Sequence, residues 1–455
     1  MQIHMTQPLF AWECLDDSPA LETIGRVLAA VPDGRLLQSL RAARGRGRND
    51  YPVETLWGTV LLTAVLRHPT FEACLAELVR NRDLRELIGI ESEGGVPKKW
   101  NVSRFLDVLG SEPHLSLLRE VFDGMAQRLA AVVDDLGRHA AGDATALHAR
   151  RKGARAGDGQ DDEGLPQPSG GRKEYTDADG AVTSVYEWFG YKLHLLVDAV
   201  HEVILAYKVT APGDGDGQTL PALVDQAEGN LPAARIETLA YDKAADSNNV
   251  HRRLDRSGIR PLIENRRLWK DELERAIPGQ KPASNLVHDE AGTVYCYDMH
   301  SNPPVRHRMA YIGHEAQRGT LKYRCPARHE RWNCPAEPLC NRGKSYGLTV
   351  RVKRATDLRR FPPIPRATKK FERLYKGRSA VERVNARVKL FWGADDGNIT
   401  GARRFHAHIG VVMAAHLAFA TVLAAAPRRT GILGKTRLGP VQKALQASLA
   451  PPGSA

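Results

Sequence analysis

The sequence predicts an α/β protein with a mixed sheet flanked by helices, an all-helical amino-terminal domain and a cysteine-containing insertion. Between about residues 136 and 267, short apolar runs typical of strands alternate with segments of helical periodicity. Before this region, apolar residues recur only at the spacing of three and four that indicates helices. From about 268 to 345 the alternation gives way to Pro, Cys, His and basic residues, which favours an insertion in the sheet domain.

These patterns place the individual elements and the boundaries between regions. Apolar runs predict strands at 185–197, 203–209, 236–241 and 259–263. Helical spacing predicts helices at 219–227, 247–256, 368–389 and 402–426. The stretch 152–180 is rich in Gly, Asp and Arg without apolar periodicity, so we expect a loop there. The regions are therefore 1–135 (helical, for DNA binding or dimerisation), 136–267 (first part of the sheet domain), 268–345 (insertion), 346–427 (completion of the sheet domain) and 428–455 (basic tail).

The charge balance favours a polyanionic partner. The chain has 455 residues and a formal net charge of +12 at pH 7. The segment 342–378 alone contains thirteen Lys and Arg against two acidic residues, Asp357 and Glu372. A solvated positive face is one interpretation of this segment, and contact with phosphates is the interpretation that its charge density favours.

No feature of the sequence points to a membrane or to secretion. The first twenty residues lack a basic segment followed by an apolar one, so no secretory signal is expected. The most apolar stretch, 409–426, is short and contains His416, which predicts a buried helix. Six unevenly spread cysteines do not form a disulfide framework, so we expect a cytoplasmic, nucleoid-associated protein.

The most specific motif is a line of polar residues near the carboxyl end. Tyr375, Arg378, Glu382 and Lys389 would fall within about 60° of arc along about 21 Å of one helix. Three donors for phosphate oxygens would then flank one carboxylate able to hold a metal ion. The alternative is an ordinary surface helix in which Arg378 and Glu382 form an i,i+4 pair worth about 0.2–0.5 kcal/mol.

The spacing Tyr-x2-Arg-x3-Glu-x6-Lys resembles the signature of DDE-type bacterial insertion-sequence transposases, whose catalytic core is ribonuclease H-like. Upstream, the segments 142–145 (GDAT), 189–198 and 239–247 resemble the strands and the two acid motifs of that core. The segment 97–105 is similar to the helical domain that precedes it, and the resemblance spans most of residues 50–425. Ala244 and Ala245 depart from the family pattern, which has a glycine and an aromatic residue after the lysine.

The resemblance implies roles for these residues. Asp143, Asp242 and Glu382 would be the catalytic acids that hold Mg2+ or Mn2+ for two-metal-ion phosphodiester chemistry. Arg378 and Lys389 would bind phosphates near the cleaved end, and Tyr375 would bind another backbone phosphate.

The resemblance also implies an activity and partners. The protein would be a cut-and-paste DNA transposase that acts on terminal inverted repeats and target DNA as a homodimer in the synaptic complex. The alternatives are a non-catalytic DNA-binding protein derived from a transposase and another ribonuclease H-like metal nuclease.

Other polar residues have plainer explanations. Asp246 lies one turn beyond Asp242 and could be a helix cap, a supporting acid or a direct metal ligand. Asp198 precedes a tight turn. We expect His194 to be a buried, hydrogen-bonded histidine, and Asp395 and Asp396 to be surface acids.

Four cysteines in and near the predicted insertion form a possible zinc site. Cys296, Cys325, Cys334 and Cys340 could provide four thiolates for structural Zn2+, and His314 or His329 could replace one of them. The spacings are looser than those of paired CxxC motifs, so ordinary reduced cysteines are the alternative. Cys14 and Cys74 are expected to be structural.

Overall fold

The computed structural model describes residues 19–46, 50–150, 164–177, 181–270, 273–279, 284–395, 399–426 and 432–434. Before the sheet, these residues form helices only: α1 (Pro19–Ala29), α2 (Gly34–Arg44), α3 (Val53–Val65), α4 (Phe71–Arg80), α5 (Arg82–Leu87), α6 (Lys99–Leu109) and α7 (His114–Val132). The helical character predicted for this region is therefore confirmed. Cys14, Asp396 and most of the predicted basic tail lie outside the described residues.

The central sheet is mixed, and helices cover it. Its elements are β1 (His139–His148), β2 (Ser169–Thr176), β3 (Val182–Asp198), β4 (Ile204–Thr210), α8 (Asp216–Asn230), β5 (Thr238–Tyr241), α9 (Asn248–Arg256) and β6 (Arg260–Ile263). The strands lie in the order β4-β3-β1-β5-β6, and β2 pairs with the first half of β3. β3 is antiparallel to both β1 and β4, whereas β1, β5 and β6 run parallel to one another. This is the ribonuclease H-like arrangement that the sequence predicted.

Strand β2 corrects the expectation of a loop across 152–180. Residues 169–176 pair along the first half of β3, from Ser169 opposite Gly190 to Thr176 opposite Val182. Most of the side chains of this ribbon are exposed, so neither strand needs the apolar alternation by which a half-buried strand is recognised. Residues 151–163 and 178–180 are outside the described ranges.

The amino-terminal helices and the sheet share one hydrophobic core. Its centre is α14 (Ala402–Ala425), which packs against α3, α6, α7 and β4. This helix is long and apolar enough to cross a membrane, but 83% of its most apolar window is buried inside the protein. The predicted buried helix is confirmed, and His416 within it is 1% exposed.

The insertion is a small β-rich module with a separate core, and it extends beyond the predicted end at residue 345 because β13 pairs with β12. It contains β7 (Glu274–Ala276), β8 (Leu286–Asp289), β9 (Val294–Asp298), β10 (Val305–Arg308), β11 (Ala310–Glu315), β12 (Thr320–Arg324), α10 (Pro326–Glu330), α11 (Glu337–Cys340) and β13 (Thr349–Lys353). Strands β7–β10 form one antiparallel sheet and β11–β13 form another. The core between them includes Val294, Leu321, Tyr323, Val352 and Phe361.

The predicted helix 368–389 is interrupted. It consists of α12 (Lys369–Tyr375), a 3-10 turn at Lys376–Arg378, and α13 (Ser379–Leu390). A 3-10 turn has three residues per turn rather than 3.6, so the four polar residues of the motif do not follow one continuous α-helical line. The apolar side remains buried, since Val381, Val384 and Val388 have no solvent exposure.

Gly142 on β1 permits close packing of the two central parallel strands. A Cβ atom added at this position would lie 2.5 Å from Cε2 of Tyr241, a fully buried side chain at the end of β5. The aromatic ring of Tyr241 therefore occupies the space that any other residue at position 142 would need. This packing fixes the neighbouring residues Asp143 and Asp242 relative to each other.

We expect Gly142→Ala to lower the free energy of unfolding by about 1–3 kcal/mol, the usual cost of overpacking a core. Gly124→Ala is the matched control, because a Cβ there meets no atom within 4 Å. Alanine is also the better helix former inside α7, so the control should gain up to about 1 kcal/mol. Urea unfolding of both variants measures the difference, and equal stabilities would contradict the packing argument.

Candidate active site

The parallel pairing of β1 and β5 brings Asp143 and Asp242 side by side. The last paired residues are Ala141 and Ala240, and each aspartate lies two residues beyond its alanine. Adjacent strands are about 4.8 Å apart, and residues two apart point to the same face. The two carboxylates therefore leave the sheet on one face and at one level.

The surroundings of Asp143 disfavour its charge in the absence of a cation. Burial raises the pKa of its carboxyl to about 6, and the negative charge of Asp242 adds to this rise. The Ala144 N–H and the cations Arg378 and Lys173 offset only part of the effect. Nδ2 of Asn385 approaches Asp143 Oδ2 at 3.5 Å. Asp242 has a different hydrogen-bond partner, since its Oδ1 accepts the Ala244 N–H at 2.8 Å.

Glu382 lies on α13, which packs against β1 and β3. Its side chain is half exposed, and its Oε1 accepts a 2.5 Å hydrogen bond from Arg378 Nη2. Burial opposes the charge on Arg378, but Tyr375, Glu382, Asp143 and Asp242 together raise its pKa. Arg378 is therefore the group that links Glu382 electrostatically to the pair on the sheet.

The structure does not place all three acids at metal-ligand distance from one another. Within the described part of the chain, the groups of three ligand atoms within 4.8 Å do not include Asp143, Asp242 and Glu382. The i,i+4 pair between Arg378 and Glu382, which was the alternative interpretation of the motif, is formed. Its arginine nevertheless also interacts electrostatically with the two aspartates.

The other two residues of the motif have partners in the protein. The ring of Tyr375 stacks on Phe371 at 5.5 Å, and burial raises its pKa to about 12. Lys389 Nζ lies 3.0 Å from Asp395 Oδ2. The expectation that Asp395 is a surface acid was wrong, because its side chain is 17% exposed and Oδ1 accepts bonds from the His148 backbone and ring.

Glu202, in the turn between β3 and β4, holds α13 in place. Its carboxylate is 1% exposed and pairs with Arg383 Nε at 2.7 Å and with Arg387. Arg387 also donates to the Gly434 carbonyl at 2.9 Å. The sequence alone does not predict this contact, because about 180 residues separate the partners. Each of these residues, taken by itself, would be interpreted as an ordinary charged residue on the surface.

Asp246 joins the sheet domain to both ends of the insertion. Its carboxylate is fully buried and accepts bonds from His251 Nε2 (2.9 Å), the Arg266 N–H (2.8 Å), Arg359 Nε (2.8 Å) and Arg366 Nη2 (3.2 Å). Burial alone would raise its pKa, but these donors together lower it. The sequence left three roles open for Asp246. The structure favours the role of a supporting acid, whose carboxylate binds arginines.

The remaining predicted polar residues are buried and bonded. His194 is fully buried and bonds Thr210 Oγ1 at 3.0 Å, while burial lowers its pKa to about 3. Asp198 accepts the Val200 N–H at 2.8 Å in the β3–β4 turn and the Gly137 N–H at 2.7 Å. The expectations for both residues are confirmed.

Part of the basic segment 342–378 has an internal role. Arg359 and Arg366 are bound to Asp246, and Arg354 Nη2 lies 2.7 Å from Asp255 Oδ1. These three guanidinium groups are largely buried. Other basic residues of the segment, such as Lys369 and Lys370, are exposed.

The mixed sheet thus presents two aspartates, and a glutamate-bearing helix packs beside them. The family model described as "Transposase DDE domain" matches residues 137–418. Because this match covers more than half of the chain, the protein belongs to the DDE-domain transposases. No curated protein matches the chain at a significant level.

One similar solved structure is described as "Mos1 transposase paired-end complex with left transposon end". The two chains share 15% sequence identity, with a TM-score of 0.16. The match covers 42% of this chain and 58% of that chain, so it spans little more than half of the Mos1 protein.

The raised pKa of Asp143 predicts a pH-dependent stability in the absence of metal. The folded protein binds this proton more tightly than the unfolded chain does, so the ionised carboxylate costs stability, increasingly as pH rises from 3.8 to about 6. Asp143→Asn should raise the free energy of unfolding by up to about 3 kcal/mol above pH 7 and by little near pH 4. Urea unfolding in chelator at both pH values checks this, and a pH-independent difference would contradict it.

Asp246 should matter for stability rather than for metal binding. Asp246→Asn leaves Arg359 and Arg366 buried without their counter-charge, which typically costs about 3–5 kcal/mol. Glu372→Gln is the control, since it removes only an exposed pair with Lys376 worth less than about 1 kcal/mol. A stable Asp246→Asn protein with weakened Mg2+ binding in calorimetry would instead make Asp246 a ligand.

Proposed function

We propose that this transposase cleaves and joins phosphodiesters at insertion-sequence ends by cut-and-paste transposition, with Asp143, Asp242 and Glu382 as its metal ligands. The observation that carries the proposal is the parallel pairing of β1 with β5, which places Asp143 on β1 beside Asp242, the residue directly after β5. Glu382 lies on the helix packed against the same sheet and is linked to them through Arg378.

The chemistry of the donor set fits hard divalent cations. All three residues offer carboxylate oxygens, which Mg2+ and Mn2+ prefer. Burial beside a second negative charge makes ionised Asp143 costly, and a cation would relieve that cost. Bound ions would supply activation of water or of a DNA 3′-hydroxyl and stabilisation of the departing oxygen.

The residues around the acids would position DNA. Arg378 is shared between Glu382 and the aspartates, so a DNA phosphate could take its guanidinium and release Glu382 toward the pair on the sheet. Lys389 would similarly leave its ion pair with Asp395 and bind a phosphate. The hydroxyl group of Tyr375 would donate a hydrogen bond to the DNA backbone. These contacts recognise the phosphodiester chain and not the base sequence.

We infer the proposed partners from the family to which the protein belongs. They are the terminal inverted repeats of the element and target DNA, held by two copies of the protein in a synaptic complex inside the cytoplasm. The net charge of +12 favours such polyanionic partners.

Removing any one acid should abolish strand cleavage without abolishing DNA binding. Asp143→Asn, Asp242→Asn and Glu382→Gln should each lower Mg2+-dependent nicking of element-end DNA by at least about a hundredfold, since bound metal supplies several kcal/mol of transition-state stabilisation. Fluorescence anisotropy should show end-DNA affinity within about threefold of the unmodified protein, because the phosphate-binding cations remain. Glu372→Gln, an exposed acid on α12, is the matched control and should cleave normally.

The same assays separate the rival functions. Cleavage by an acid variant at the normal rate would remove that residue from the catalytic set. Nicking without strand transfer into a target plasmid would indicate another ribonuclease H-like nuclease. DNA binding without metal-dependent nicking by the unmodified protein would indicate a DNA-binding descendant of a transposase.

A further inference from the structure

Four cysteines of the insertion line one small cavity. Cys296 lies on β9, Cys325 follows β12, Cys334 lies between α10 and α11, and Cys340 ends α11. The cavity has a volume of about 20 Å3, which is room for about one water molecule or one small ion. The four residues come from three separate segments and converge only through the fold.

The thiols are close enough to influence one another. Burial raises the pKa of Cys296 to about 12, and the neighbouring Cys325, Cys334 and Cys340 add to the rise. Burial also raises the pKa of Cys334 and of Cys340, with contributions from the neighbouring sulfurs. Within the described residues, the groups of three ligand atoms within 4.8 Å do not include three of these sulfurs, so the fold brings the four cysteines to one cavity without closing a metal site around them.

Hydrogen-bond donors are directed at three of the sulfurs. Asn341 Nδ2 lies 3.5 Å from Cys325 Sγ, and Asn341 is itself buried. The Asn285 side chain bonds Cys340, and the Ala336 N–H bonds Cys334. N–H donors to sulfur stabilise thiolates, and such supporting bonds typically surround metal–thiolate centres.

We propose that Cys296, Cys325, Cys334 and Cys340 hold a structural Zn2+ ion as four thiolate ligands. Zinc prefers a closed tetrahedral set of soft ligands in structural sites. The proposal does not depend on the transposase chemistry of the sheet domain.

The position of the site explains what the ion would do. Cys296 belongs to the sheet β7–β10, Cys325 follows a strand of the sheet β11–β13, and Cys334 and Cys340 come from the segment that leads to β13. The insertion has only a small hydrophobic core between these sheets. Modules with small cores commonly need a metal or disulfides to be stable. The ion would tie the two sheets together.

A mixed ligand set is the competing arrangement at the same cavity. Ligand atoms of Asp298, His307 and Cys334 lie within 4.8 Å of one another. The Asp298 carboxylate, however, already accepts bonds from the His300 N–H at 2.9 Å and Ser301 Oγ at 2.7 Å. The imidazole of His307 packs against Trp332 at 4.8 Å. These contacts give both residues structural roles, so we assign the site to the thiolates.

Metal analysis of the full chain, purified without oxygen, is the first test. We expect one zinc per chain, and replacement by Co2+ should give the visible absorption of a tetrahedral thiolate complex. Cys296→Ser and Cys340→Ser should each weaken zinc binding at least about tenfold. Cys74→Ser, a buried thiol in α4, is the matched control and should retain the metal. Asp298→Asn and His307→Gln should also retain it, and loss in either would overturn the four-thiolate assignment.

A second measurement does not require the variants to fold. The four cysteines should resist alkylation in the unmodified protein and become modified after a zinc chelator is added, as mapped by mass spectrometry. Cys74 should react equally in both samples. Equal labelling of the four cysteines with and without chelator, absence of zinc, or disulfides among them in the intact mass would each overturn the proposal.

Discussion

The arrangement of the candidate active site depends on the parallel pairing of β1 with β5. This pairing places Asp143 beside Asp242, and Gly142 allows the strands to close because the Tyr241 ring fills the space of a side chain. The cost is the burial of one carboxylate beside another, which raises the pKa of Asp143 to about 6. The surrounding core, centred on α14, includes buried residues of both strands.

Acidic residues in this fold divide into two physical classes. Asp246 and Glu202 are buried against arginines, and the donors around Asp246 lower its pKa. They hold other elements: Asp246 the ends of the insertion, and Glu202 the helix α13. Asp143 has a raised pKa because cations only partly offset its burial. The partners of each carboxylate, and not the direction of its pKa shift alone, separate the two classes, since burial also raises the pKa of the turn residue Asp198.

Local patterns predicted most elements of the sheet domain, since apolar runs and helical spacing are properties of short segments. The roles predicted for Asp143, Asp242 and Glu382 came from the resemblance of their motifs to those of transposases. Three features depended on distant partners: β2 on its pairing with β3, Glu202 on Arg383 and Arg387, and Asp395 on His148. The 3-10 turn before α13 changed the geometry of the motif because spacing alone assumed one continuous helix. The convergence of the four cysteines required the fold of the insertion, which the loose spacings did not reveal.

The two proposed metal sites are chemically distinct, so one chain would hold two kinds of ion. The sheet domain offers carboxylate oxygens, which suit Mg2+ and Mn2+, whereas the insertion offers thiolates, which select Zn2+. Weakly bound ions at the carboxylates can exchange during catalysis, while a closed thiolate site retains its ion for as long as the insertion is folded. Asp246 connects the regions, because its carboxylate binds residues at both ends of the insertion four positions after Asp242. A folded insertion therefore helps to hold in place the end of β5, which Asp242 directly follows.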